Sequence, residues 1–398
     1  MNEKEVIDLE QRYMANVFAK KPLVAVKGKG ALLWDINGRE YIDCMSAYGV
    51  CVVGHCHPKV VEAIKRQAEL LIACHASLYN DARSEFLGKL MAITPPGLKK
   101  AFLATSGTEA VETALKLARR HTSKPEIISF VGAFHGKTMG SLSATWNSRY
   151  RAPFEPLVPG FKHVPYGKAE DVQAAINEKT AAVIVEPIQG ESGIKVPPEG
   201  FLKELREICN EKGVLLIFDE VQTGFGRTGK LFACEHDNVI PDVLCLAKSI
   251  GGGIPIGVTV AKDEVMASLK MGEHTSTFSG NPLVCAAASA AIDVVVEEKL
   301  PERAEVLGRY FMGELEKLRG KYKIVREVRG KGLMIGVESR FDVLNIILGA
   351  LERNVIVLDA GRNILRFLPP LVITKEQIDR VVAVLDEVIG KEDAKLRG

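Results

Sequence analysis

Lys248 follows an apolar run, residues 243–246, and leads into the glycine cluster Gly251-Gly252-Gly253. An apolar run bounded by proline and glycine predicts a buried strand, and the residue just past the carboxyl end of a strand in a parallel sheet sits at the ligand crevice. A lysine there is desolvated, its pKa falls, and the neutral amine becomes a nucleophile toward a carbonyl, which suits a Schiff base. Four other predicted strands end in polar groups in the same way. Residues 101–104 run into Thr105-Ser106-Gly107-Thr108 and a predicted helix over 109–120, where free backbone N–H groups, the helix dipole and hydroxyls form a phosphate cradle. Residues 126–130 lead to Phe134-His135-Gly136-Lys137, with an aromatic between glycines that can stack on a flat ring. Residues 181–185 give Glu186, and residues 214–218 give Asp219, each a carboxylate held at low dielectric that needs a cationic or hydrogen-bonding partner. Taken singly, Thr105 or Ser106 is also a helix cap, Phe134 a packing residue, and Asp219 a cap or an ion-pair member. Their convergence on one sheet edge singles the set out.

A Schiff-base lysine, a carboxylate for a ring nitrogen, an aromatic to stack and a phosphate cradle together describe a pyridoxal phosphate site. Asp219 would keep the pyridine nitrogen protonated, so that the ring accepts electrons when the substrate loses its α-proton, and Lys248 would carry that proton. Neither GxxxxGK[ST] nor a GxGxxG after the first strand is present, which argues against a Walker nucleotide site and a Rossmann oxidoreductase. His55 and His57 lack a third ligand at any common zinc spacing, so no metal is expected.

The elements that must position these groups alternate strand, short loop and helix from residue 100 onward, which predicts an α/β fold with a mostly parallel central sheet. Ahead of them, residues 31–44 alternate around Asn37-Gly38 and predict an antiparallel ribbon, and Pro58 opens a helix. From about residue 300 the pattern changes to a second, smaller α/β unit. The expected division is an N-terminal segment, 1–55, contributing to the small domain, a large cofactor-binding domain, 56–295, and a C-terminal small domain, 296–398. The chain has 398 residues, 47% hydrophobic, and a formal charge of +2 without a dense basic block, so nucleic acid is not an expected partner. No apolar run approaches the roughly 18 residues of a membrane span, the charged start lacks the core of a signal peptide, and the eight scattered cysteines contain no CxxC. A soluble, cytoplasmic protein with reduced thiols is expected.

Several segments, in order, resemble the class III (ω-amino) aminotransferases of the fold-type I pyridoxal phosphate enzymes: SGTEAVETALKLAR (106–119), AFHGKTMGSLS (133–143), EPIQGESG (186–193), FDEVQTGFGRTGK (218–230), LAKSIGGGIPIG (246–257), TFSGNPL (277–283), VRGKGLMIG (328–336) and LRFLPPLVI (365–373). The resemblance implies that Lys248 forms the Schiff base with the cofactor, Asp219 pairs with the pyridine nitrogen and Gln222 approaches the ring oxygen. It places Ser106, Gly107 and Thr108 at the phosphate, with Thr277 from a neighbouring subunit, and Phe134, His135, Glu186 and Val221 around the ring. Arg366 would bind the α-carboxylate of glutamate, and Glu186 would pair with Arg366 when that carboxylate is absent. A homodimer with shared active sites is implied, alone or paired into a tetramer.

The implied reaction moves a terminal amino group from ornithine, N-acetylornithine or a carrier-linked ω-amino acid to 2-oxoglutarate. SAYGVCVVGHCHP and SLYND resemble ornithine aminotransferases and suggest Tyr48 and Tyr79 at the substrate mouth. Ornithine and acetylornithine members read FHGRT, whose arginine clamps a substrate carboxylate; here the position is Lys137, which supplies charge without the bidentate fork. FHGK and PGFKHVPYG are similar to putrescine aminotransferases, so putrescine or 4-aminobutyrate is the alternative donor. An aminomutase or racemase of the same fold would use the same lysine and aspartate. A non-catalytic pyridoxal-phosphate-binding regulator would carry an added DNA-binding segment, and no such basic stretch precedes residue 30.

Overall fold

The computed structural model describes residues 1–395. Its centre is a seven-stranded sheet that begins with β4 (Leu98–Ala104), after a ribbon of β1 (Ala25–Lys29), β2 (Leu32–Asp35) and β3 (Glu40–Asp43). The other central strands are β5 (Glu126–Phe130), β6 (Phe161–Val164), β7 (Thr180–Val185), β8 (Leu215–Asp219), β9 (Val243–Leu246) and β10 (Gly257–Lys262), in the order β4-β10-β9-β8-β7-β5-β6. Pairings from β6 through β9 are parallel, while β10 runs antiparallel to both neighbours. Every residue of β7 and β9 is buried, as expected of strands covered by helices on both faces. The apolar run therefore marks a strand, and its end marks the site.

The helix Gly107–Thr122 begins where the apolar residues of β4 stop. The Ser106 side chain accepts a hydrogen bond from Glu109 N, Ala110, Val111, Ala114 and Ala118 face the sheet, and Arg119, Arg120 and His121 complement the dipole at the far end. Against the other flank, Pro282–Glu297 starts with an Asn281 cap and Pro282 in its first turn, and its small residues allow close packing on Pro58–Leu70 and Asp81–Ile93.

The predicted ribbon turns at Asn37-Gly38, with Gly38 at φ +82°. A second sheet holds β11 (Val325–Lys331), β12 (Met334–Ser339), β14 (Leu358–Asp359) and β15 (Ile364–Phe367), and β13 (Val355–Ile356) pairs in parallel with β3. Strands β6 and β10 are findings of the structure. In FKHV the polar residues interrupt the apolar pattern, and GVTVAK begins with the glycine that lets it pass the Ser106 backbone: a Cβ at Gly257 would lie 2.0 Å from Ser106 O. None of the described helices is long and apolar enough to cross a membrane.

Candidate active site

The carboxyl ends of β4, β5, β7, β8 and β9 open into one cavity of about 610 Å³. It is lined by Ser106, Gly107, Thr108, Phe134, His135, Lys137, Glu186, Asp219, Val221, Gln222 and Lys248, so eleven side chains or backbones singled out in the sequence meet there. Lys248 opens a short 3-10 turn with φ +46°, a left-handed conformation that a non-glycine residue adopts only when its surroundings enforce it. Burial lowers the pKa of its amine, against the opposing pull of the Glu191 and Asp219 carboxylates.

Asp219 ends β8 and is fully engaged on its protein side. Oδ2 lies 2.7 Å from His135 Nδ1, and Oδ1 accepts from Val221 N at 3.1 Å. His135 Nε2 and Gln222 Oε1 are buried polar atoms with no partner among the described residues. At the helix start, Thr108 Oγ1 lies 2.6 Å from Ser141 Oγ and 2.8 Å from Thr138 Oγ1, while Glu112 accepts from Thr138 Oγ1, Gly140 N and Ser141 N. Gly107 permits the close approach of Val221, whose Cγ1 would lie 2.8 Å from an added Cβ.

The pairing of Glu186 with Arg366 expected from the resemblance is not what the structure contains. Glu186 accepts from Phe134 N at 2.9 Å and Gly190 N at 3.3 Å, and burial pushes its carboxyl up to about 7, with His135 pulling it back down. Arg366 on β15 instead pairs with Glu191, Nη1 to Oε1 2.6 Å, and its guanidinium lies 5.4 Å from the centre of the Tyr48 ring. The reason is reach: Glu186 is tied down at the strand end by backbone donors, whereas Glu191 lies beyond the turn and faces β15. EPIQGESG offers two glutamates, and spacing alone does not say which one the second sheet meets.

Tyr48 thus borders the site through Arg366. Tyr79 and Thr277 do not line this cavity: both are exposed on the same chain, Tyr79 fully. Lys137 stands exposed at the rim with Nζ 4.4 Å from the centre of the Tyr150 ring.

A lysine past a central strand, an aspartate at the end of the adjacent strand and a capped helix start facing both define a fold-type I pyridoxal-phosphate-dependent enzyme. Residues 13–389 match the family model for class III aminotransferases. The acetylornithine aminotransferase of Methanopyrus kandleri is 49% identical over 98% of this chain and 99% of its own. The [LysW]-aminoadipate semialdehyde transaminase of Deinococcus radiodurans is 45% identical over 98% of this chain and 91% of its own. A crystal structure of the Toxoplasma gondii ornithine aminotransferase, with pyridoxal phosphate in partial occupancy, superposes with a TM-score of 0.96 at 36% identity, covering 100% of this chain and 96% of that one. The chain belongs to the class III aminotransferase family. It is a transaminase that uses pyridoxal 5'-phosphate, an amino donor and a keto acid.

Proposed function

We propose that this enzyme transfers the terminal amino group of N-acetylornithine, or of a closely related acylated ω-amino acid, to 2-oxoglutarate. The single observation that carries the reading is the pair between the buried Arg366 and the partly buried Glu191 beside Lys248. An arginine with a competing carboxylate serves two substrates: released, it binds the α-carboxylate of glutamate; paired, it leaves room for an amine-bearing carbon without a carboxylate. The names carried by the relatives at 45–49% identity support the same donor class. An aminomutase or racemase has no need of such an exchange.

The residues fit the cofactor. The unpartnered Gln222 Oε1 suits a ring hydroxyl, Asp219 the ring nitrogen, Phe134 a ring face, and the N–H groups at Gly107 and Thr108 a phosphate. When bound, pyridoxal phosphate supplies an electron sink for the carbon next to the amine and carries the amino group between substrates. Lys248 Nζ, whose pKa is lowered by burial, would bind the cofactor and move the proton at that carbon. Asp219, held by His135 and Val221 N, would pair with the ring nitrogen. Ile254, Pro255 and Ile256 help exclude water from this chemistry.

The exposure of Thr277 and Tyr79, together with exposed Leu70, Leu71, Ile72 and Phe278, supports a homodimer in which each subunit completes its partner's site. Eight free thiols, five of them buried, fit a cytoplasmic enzyme. The test is a single turnover of the cofactor-loaded enzyme with N-acetylornithine, ornithine, putrescine and 4-aminobutyrate separately, followed by the cofactor's absorbance. Fastest conversion by N-acetylornithine is expected; selective conversion by putrescine contradicts the reading.

A further inference from the structure

A second cavity, of about 470 Å³, adjoins the first, and both are walled by Phe134 and Glu191. Arg151 and Lys195 line it, and Glu191, its acidic lining residue, is already paired with Arg366. Arg151 is unusual among the arginines here. Arg119, Arg206, Arg227, Arg353 and Arg366 also have a buried Nε without a partner, yet each donates through another guanidinium nitrogen. Arg151 shares the unpaired Nε, and no side-chain hydrogen bond or ion pair engages it among the described residues. Lys137 is occupied in a different way: its ammonium lies over Tyr150, which packs edge-on against Phe134 with ring centres 6.0 Å apart. Position 137 therefore holds a cation seated on an aromatic, and one residue past that aromatic stands a guanidinium with no side-chain partner among the described residues.

A guanidinium with a shielded, unpaired donor gains most from a carboxylate, because the fork makes two charge-assisted hydrogen bonds at once. A second ammonium group would meet uncompensated positive charge. We propose that this outer cavity is the subsite for the donor's far carboxylate, with Arg151 as its anchor and Lys195 adding positive potential. It favours donors whose α-amine is acylated and whose α-carboxylate is free, and it disfavours diamines. The assignment rests on the donor class proposed above.

The test compares two donors that differ only in the carboxylate, N-acetylornithine and N-acetylputrescine, on the loaded wild-type enzyme and its Arg151→Gln, Arg151→Lys and Lys195→Gln variants. For Arg151→Gln, KM for N-acetylornithine should rise roughly ten- to hundredfold, with kcat and the KM for N-acetylputrescine little changed; Arg151→Lys should recover part of the loss. An equal rise for both donors, or no rise for either, overturns the subsite. If Arg151→Gln does not fold, Lys195→Gln carries the same comparison: a smaller rise confined to N-acetylornithine supports the subsite, and no donor-specific rise overturns it. A wild-type enzyme that does not prefer N-acetylornithine to N-acetylputrescine defeats the donor reading itself, whereas a preference retained in Arg151→Gln defeats only the role of Arg151.

Discussion

Arg366 and Glu191 form an ion pair beside Lys248, Nη1 to Oε1 2.6 Å, with the guanidinium buried, the carboxylate partly exposed and the Tyr48 ring against the guanidinium. Glu191 comes from the loop after β7 and Arg366 from β15, so the pair ties the edge of the central sheet to the second sheet. If it is a switch between substrates, Glu191→Gln should split them. The KM for glutamate should stay level or fall, because Arg366 no longer has a competitor. The kcat/KM for the ω-amino donor should drop about tenfold. Steady-state kinetics in both directions reads the split, and equal losses for both substrates would speak against the switch.

The same substitution acts on Lys248. The Glu191 carboxylate raises the amine's pKa against the dominant lowering by burial, so its removal lowers that pKa further. Covalent loading of apoenzyme with pyridoxal phosphate needs the neutral amine, and its rate falls as the pH drops through the amine's pKa. The midpoint of that acid limb should therefore move to lower pH in Glu191→Gln. A stopped-flow pH series on apoenzyme measures it, and a midpoint displaced to higher pH contradicts the electrostatic assignment.

Gly107→Ala should weaken cofactor binding without unfolding the chain. The new Cβ falls 2.8 Å from Val221 Cγ1 and 3.3 Å from Ala247 Cβ, so the helix start and the loop after β8 must separate where they meet the cofactor. Overpacking of about 1–3 kcal/mol corresponds to a loss of cofactor affinity of roughly 5- to 160-fold. Equilibrium dialysis gives the affinity and far-UV circular dichroism checks the fold; unchanged affinity would mean that the contact yields freely.

A buried pair away from the chemistry sets a pH dependence of stability. His55 Nε2 lies 2.7 Å from Asp43 Oδ2; burial lowers the imidazole's pKa, but hydrogen bonds to Asp43 and Cys51 outweigh it and bring it to about 10. A histidine with a raised folded pKa contributes stability that is complete below its unfolded value of 6.5 and is lost as the pH rises through the folded value. His55→Gln should therefore cost roughly 3 kcal/mol at pH 6 and much less at pH 10. Urea unfolding of both proteins at the two pH values tests this, and a pH-independent difference rules it out.

Much of this site is legible in the sequence because each buried strand is an unbroken apolar run whose end is unambiguous. Lys248, Asp219, Glu186 and the Ser106–Thr108 turn are found that way, since the parallel sheet delivers strand ends to one edge whatever the loops do. Less legible is what depends on contact between distant segments. Glu191 as the partner of Arg366 is set by how β15 meets the loop after β7, and Arg151 earns attention only when its lack of a partner is seen. Strand β6 is hidden because an edge strand tolerates Lys162 and His163, and β10 because its glycine start reads as a loop. Tyr79 and Thr277 are exposed and do not line their own cavity, a placement that residue type and local pattern do not encode.

The most direct measurement is a single turnover of Lys248→Ala, matched to wild type in bound cofactor, with N-acetylornithine as donor and the cofactor's absorbance as readout. Wild type should convert its cofactor completely, and the variant should be slower by roughly 10²–10⁴-fold or more, with partial recovery on adding a small primary amine. Conversion by the variant at the wild-type rate, without added amine, would contradict the assignment of Lys248 as the group that moves the proton.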